Sequence, residues 1–97
     1  MPIVMPIVML TMAVQLAVGS VCVDYLASVP KFPSPDDKIR SVGFEVQGGG
    51  NAANAITAVS RLGIRGKLLS KIVNDGIGQD IVDELEADGV DTSCIIR

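Results

Sequence analysis

The sequence predicts an α/β fold built on a parallel sheet, and three observations lead there. Runs rich in Val, Leu and Ile with little alternation occur at 12–26, at 67–73 and at the C-terminal end, 92–97, as strands covered on both faces require. Between them, apolar residues recur at spacings of three and four, which is the stripe of a helix packed on one side. The order strand, helix, strand, helix, strand then favours parallel strands joined by helical crossovers.

The elements follow in chain order. "MAVQLAVGSVCVDYL" (12–26) reads as one buried strand ending near Cys22 to Asp24. "PKFPSPDDKIR" (30–40) holds three prolines and two aspartates, a composition that stops a helix and marks a turn. Residues 38–47 alternate Ile39, Val42, Phe44 and Val46 with polar or small residues, as an antiparallel strand wetted on one side would. Ala52, Ala55, Ile56, Val59 and Leu62 form the first helical stripe, with Gly50 or Asn51 as N-cap and Gly63 as a left-handed stop. Ile77, Ile81, Val82 and Leu85 face a second helix that ends at Asp88 and Gly89. The last strand starts at Thr92, so three parallel strands with an open edge are expected, the front portion of a longer fold.

Composition narrows the function classes. The 97 residues are 48% hydrophobic and 20% charged, too apolar for a disordered chain, and only 3% aromatic, so the core is aliphatic. A net charge of -3 with no run of Lys or Arg argues against nucleic acid as a partner. Two separated cysteines, Cys22 and Cys94, and no histidine leave too few ligands for a zinc-type site and fit a reduced, cytoplasmic protein. The first eighteen residues carry no charge and approach the length of a membrane span, yet two prolines in the first six positions and the missing basic flank speak against a span or a signal peptide. Residues 1–17, with "MPIV" twice in succession, are expected as an apolar N-terminal extension running into the first strand, and membrane association as the minority reading.

"QGGGNAANAITAVSRLG" (47–63) carries the chemistry. A glycine-rich turn into a helix N-terminus presents free N–H groups and suits an anion. The details exclude the known phosphate motifs: no Gly-Lys-Ser or Gly-Lys-Thr exists in the chain, and the run 48–50 is not a G-x-G-x-x-G directly after the first strand. The remaining chemistry is a turn that lets a ligand approach closely, followed by Asn51 and Asn54 on the first helical turn. Their carboxamides donate and accept hydrogen bonds, as sugar hydroxyls do. Asn51 as a helix cap and Asn54 bonded locally account for the same residues equally well.

"GGNAANAITAVSRLG" (49–63), preceded by "VGSVCVDYLASVPKFPSPDDKIR" (18–40) and followed by "KLLSKIVNDGIGQDIVDELEADGVDTS" (67–93), resembles the N-terminal part of a PfkB carbohydrate kinase, the ribokinase-like family, with wording close to its ketohexokinase-like members. The resemblance implies residues 18–97 as the N-terminal portion of a ribokinase-like domain, a partial parallel sheet with helices and a β-hairpin lid insertion at about 27–47. It also implies sugar binding by Asp24, Gly49, Gly50, Asn51 and Asn54. Cys22 stands where some members have a sugar-contacting Asn, Ile56 where a small residue is usual, and Val73-Asn74 where Gly-Asp precedes D-x-x-G, here Asp75 to Gly78.

Family members transfer the γ-phosphoryl group of ATP to a sugar hydroxyl with Mg²⁺, using a Gly-x-Gly-Asp run that this sequence does not contain. The expectation is therefore an acceptor-side piece of a carbohydrate kinase with no catalytic, ATP-binding or metal residue of its own, inactive alone. The alternative is a non-catalytic lid module that pairs with itself or with a full-length kinase.

Overall fold

The computed structural model describes residues 14–97; the "MPIV" repeat and most of the expected extension lie outside them. The order of elements is β1 (Val14–Val18), β2 (Cys22–Ser28), β3 (Gly43–Gly49), α1 (Asn51–Arg61), β4 (Arg65–Lys71), α2 (Gly76–Ala87), β5 (Val90–Asp91) and β6 (Ile95–Ile96). β4 is the hub of a parallel sheet. It pairs with β1 from Val14↔Arg65 to Val18↔Leu69, and with the short β5 and β6 through Gly66↔Val90 and Ser70↔Ile95. β2 and β3 form a separate antiparallel hairpin in register from Cys22↔Gly49 to Ser28↔Gly43. Parallel sheet, crossover helices and hairpin together are the α/β architecture expected.

The apolar run 12–26 is not one strand. The chain leaves the parallel sheet at Gly19, where φ is +153°, a value rare for other residues, and re-enters a different sheet at Cys22. Hydropathy does not record which sheet a residue joins, so the break left no mark in the Val and Leu run. Asp24 consequently lies within β2 rather than at a strand end. Residues 38–42 are outside β3, which runs 43–49; they belong to the connection, whose turn is fastened by Ser34 and Asp37, with N–H groups that donate to Asp37 Oδ2 and to the Ser34 carbonyl at 3.0 and 3.1 Å. The hairpin is thus longer at its base than the 27–47 expected, and β5 is an additional strand ahead of Thr92. β1 takes in residues 14–17 of the stretch expected as an extension.

Both helices cover one face of the sheet. Ala53 and Ile56 of α1, Ile81 and Leu85 of α2, Leu68 of β4 and Val90 of β5 form the buried cluster, with Leu68 fully enclosed. α1 lies close to β4 because Gly66 has no side chain: a Cβ there would stand 2.9 Å from Ile56 Cγ1. Gly63, at φ +86°, follows the Leu62 C-cap, and Gly50 is the N-cap, so Asn51 begins the helix rather than capping it. α2 is capped by Asp75, whose carboxylate accepts the Gly78 N–H at 2.7 Å. No helix among the described residues is long and apolar enough to cross a membrane.

Candidate acceptor site

Strand alternation places Cys22, Asp24, Gln47 and Gly49 on one face of the hairpin, since Cys22 pairs with Gly49 and Asp24 with Gln47. The Asp24 carboxylate lies diagonally over Gly49. A Cβ on Gly49 would meet the Asp24 carboxyl carbon at 2.8 Å, so only glycine leaves room for that carboxylate. Gly50 then turns the chain into α1 at φ +103°, with the Ser20–Val21 backbone packed against it: a Cβ there would meet the Ser20 carbonyl oxygen at 2.6 Å. The Ala53 N–H donates to that same carbonyl at 3.3 Å, which stitches the β1–β2 connection to the first turn of the helix.

Asn51 and Asn54 follow at once. Gly50 caps the helix without a side-chain bond, and neither carboxamide makes a hydrogen bond among the described residues. Asn51 is exposed. Asn54 lines a groove of about 300 Å³ between α1 and α2, shared with Gln47, Thr57, Arg61, Glu84 and Asp88. Arg61 is committed within that groove: its Nε and Nη2 donate to the two carboxylate oxygens of Asp88 at 2.9 and 3.0 Å. That fork, with a smaller pull from Glu84, holds the guanidinium's pKa above its ordinary value. A second, more apolar hollow of about 540 Å³ is walled by Val21, Cys22 and Val23 on one side and by Val73, Asp75 and Ile77 on the other. Asp24 and Gly49 line neither, so the structure brings Asp24, Gly49 and Gly50 together as a unit and sets Asn54 on the adjoining groove.

Two site neighbours escaped the sequence reading. Gln47 is the cross-strand partner of Asp24 and also lines the Asn54 groove, a connection visible only once the register is known. Glu84 accepts the Gly48 N–H at 3.0 Å, yet on α2 it is one exposed acid among Asp80, Asp83 and Glu86 and carries no signal in the sequence. Among the described residues no three His, Cys, Asp or Glu side chains are grouped to hold a metal ion.

Residues 12–97 match the pfkB family carbohydrate kinase. The chain belongs to that family. Its relatives include a ribokinase of Haemophilus influenzae, 32% identical over 77 residues, which cover 79% of this chain and 25% of the relative. A nucleoside kinase of Methanothermobacter thermautotrophicus is 35% identical over 81 residues, 84% of this chain and 26% of the relative. Among solved structures, the ribokinase of Cryptococcus neoformans in complex with ADP superposes with a TM-score of 0.72 at 34% identity, covering 84% of this chain and 25% of that one. The chain thus spans about a quarter of the length of the relatives it matches. The family match begins at residue 12 and β1 at Val14, so the last residues of the expected extension fall within the family's span.

Proposed function

We propose that these residues form the sugar-binding side of an ATP-dependent carbohydrate kinase, the longer protein transferring the γ-phosphoryl group of ATP to a hydroxyl of a sugar or of the ribose of a nucleoside. The observation that carries the reading is the Asp24 carboxylate seated over Gly49, beside a helix start whose two carboxamides bond to none of the described residues. A carboxylate accepts from vicinal hydroxyls and an amide both donates and accepts, which matches the alternating donors and acceptors of a polyol. Gly49 leaves the space that the Asp24 carboxylate fills, Gly50 makes the turn into the helix, and Asn51 and Asn54 supply the amides. Sugar binding comes to this chain from its family; the names of its relatives span ribose and nucleoside acceptors.

The donor side is assigned to no residue here. ATP and Mg²⁺, when bound in the longer protein, supply the transferable phosphoryl group and the charge neutralisation it needs. General-base catalysis typically contributes about 10²- to 10⁴-fold and one oxyanion donor about 10²- to 10³-fold, and the sequence lacks the Gly-x-Gly-Asp run from which the family draws both. The 97-residue chain alone is therefore expected to turn over no ATP. Two measurements test the reading: saturation-transfer NMR with D-ribose, D-fructose and adenosine on wild type and Asp24→Asn, and a coupled ATP-consumption assay with the same acceptors. Binding that weakens in Asp24→Asn, without turnover, supports it; no binding of any of the three, or turnover above buffer, rejects it.

A second reading is favoured by the hairpin's surface. Tyr25, Phe44 and Val46 are exposed on one face, the two rings stacked with centroids 6.2 Å apart, and Phe32 at the connection is 95% exposed. That face is turned away from Asp24, and it fits a lid hairpin that pairs through its apolar side with a second copy or a full-length kinase. Sedimentation of wild type and Phe44→Ser distinguishes it: a dimer lost in the variant supports pairing, and a wild-type monomer at all concentrations rejects it.

A further inference from the structure

The first of the three glycines has a role that acceptor binding does not use. Gly48 pairs with Val23, and in an antiparallel ladder alternate residues turn their N–H away from the partner strand. The outward N–H of Gly48 reaches α2, where it donates to Glu84 Oε2 at 3.0 Å. The missing side chain is what admits the carboxylate: a Cβ on Gly48 would stand 3.1 Å from Glu84 Oε2 and 3.3 Å from its carboxyl carbon, closer than side chains ordinarily pack. The next residue, Gly49, is the one under Asp24, and the one after it makes the turn into α1. Arg61 and Asp88 stand on the same groove, so Glu84 faces a cation already held by another acid and is left free to accept from the backbone.

We infer that Glu84 is a positioning residue for the acceptor turn: its carboxylate pins the Gly48 amide, and with it the Asp24 over Gly49 contact, to helix α2. The fastening stands on the hydrogen bond and the absent Cβ; its consequence for ligand binding rests on the sugar-site reading above. Glu84→Ala keeps the helix, because alanine is the best helix former and the position is exposed. Glu84→Gln keeps an oxygen that accepts the same N–H.

The test is amide hydrogen exchange by NMR on the 97-residue chain without ligand, followed by titration with D-ribose and with adenosine. In Glu84→Ala the Gly48 amide is expected to exchange about tenfold faster, with the core amides of Leu68 and Val82 unchanged. Glu84→Gln returns it close to wild type, and the dissociation constant of whichever acceptor binds rises in the alanine variant and recovers in the glutamine one. Unchanged exchange at Gly48 in Glu84→Ala, or a glutamine variant that behaves as the alanine one, overturns the inference. If exchange responds as expected while neither D-ribose nor adenosine binds the wild type, the fastening stands and the sugar-site reading falls.

Discussion

Replacing Gly50 by alanine is expected to be the costliest change in the glycine run. A non-glycine residue at φ +103° is strained, and its Cβ would press into the Ser20 carbonyl, which is backbone and cannot rotate away. A loss of about 2 kcal/mol or more, read from the urea midpoint, is expected. Gly49→Ala meets only the carboxylate of Asp24, which can swing aside, so its stability loss is smaller while acceptor binding suffers most. Near-equal losses in the two variants would contradict this division of roles. The turn at Gly49 and Gly50 and the helix start at Asn51 were legible because a glycine run followed by a helical stripe is a local signal. The task of Gly48 was not, since it depends on an acid 36 residues away that touches it only after folding.

At the level of elements, α2 depends on its cap. Asp75 holds the Gly78 N–H, and Gly78 has no room for a Cβ against the Val73 carbonyl, so the D-x-x-G string is accounted for as helix-start geometry. Asp75→Ala is expected to cost about 1 kcal/mol and Asp75→Asn much less, by urea unfolding. The short β5 carries a pH signature. Hydrogen bonds from Ser93, with a smaller attraction from Lys67 at 3.5 Å, hold the Asp91 carboxyl below its ordinary pKa of 3.8. A depressed folded-state pKa means the contribution is complete above that ordinary value and is lost as pH falls through the folded one. The midpoint difference between wild type and Asp91→Asn should therefore be constant from neutral pH to about 5 and shrink at lower pH; a difference that widens on acidification would contradict the assignment. The two helices were readable because a stripe with period 3.6 and Gly or Asp punctuation is local. The division of 12–26 into β1 and β2 was not, because sheet membership is decided by partners at 43–49 and 65–69.

At the scale of the whole molecule, the helices among the described residues lie on one side of the parallel sheet. Leu68 and Ala17 point into the cluster beneath α1 and α2, and strand alternation turns Val14, Leu16 and Val18 the other way, where they are 51%, 57% and 66% exposed beside Leu69. The expectation of a parallel sheet buried on both faces is met on one face by these residues. A row of aliphatic side chains in water stabilises nothing in the isolated chain, yet it is a surface onto which further apolar layers can pack. Two consequences can be measured on the chain as it stands. The double change Leu16→Thr and Val18→Thr is expected to leave the urea midpoint within about 0.5 kcal/mol of wild type, because threonine is β-branched and suits a strand and neither side chain is buried. The same variant should bind an apolar fluorescent dye less strongly than wild type. A large loss of stability would mean that the row is covered within the chain itself, and unchanged dye binding would move the apolar surface to the hairpin face of Tyr25 and Phe44.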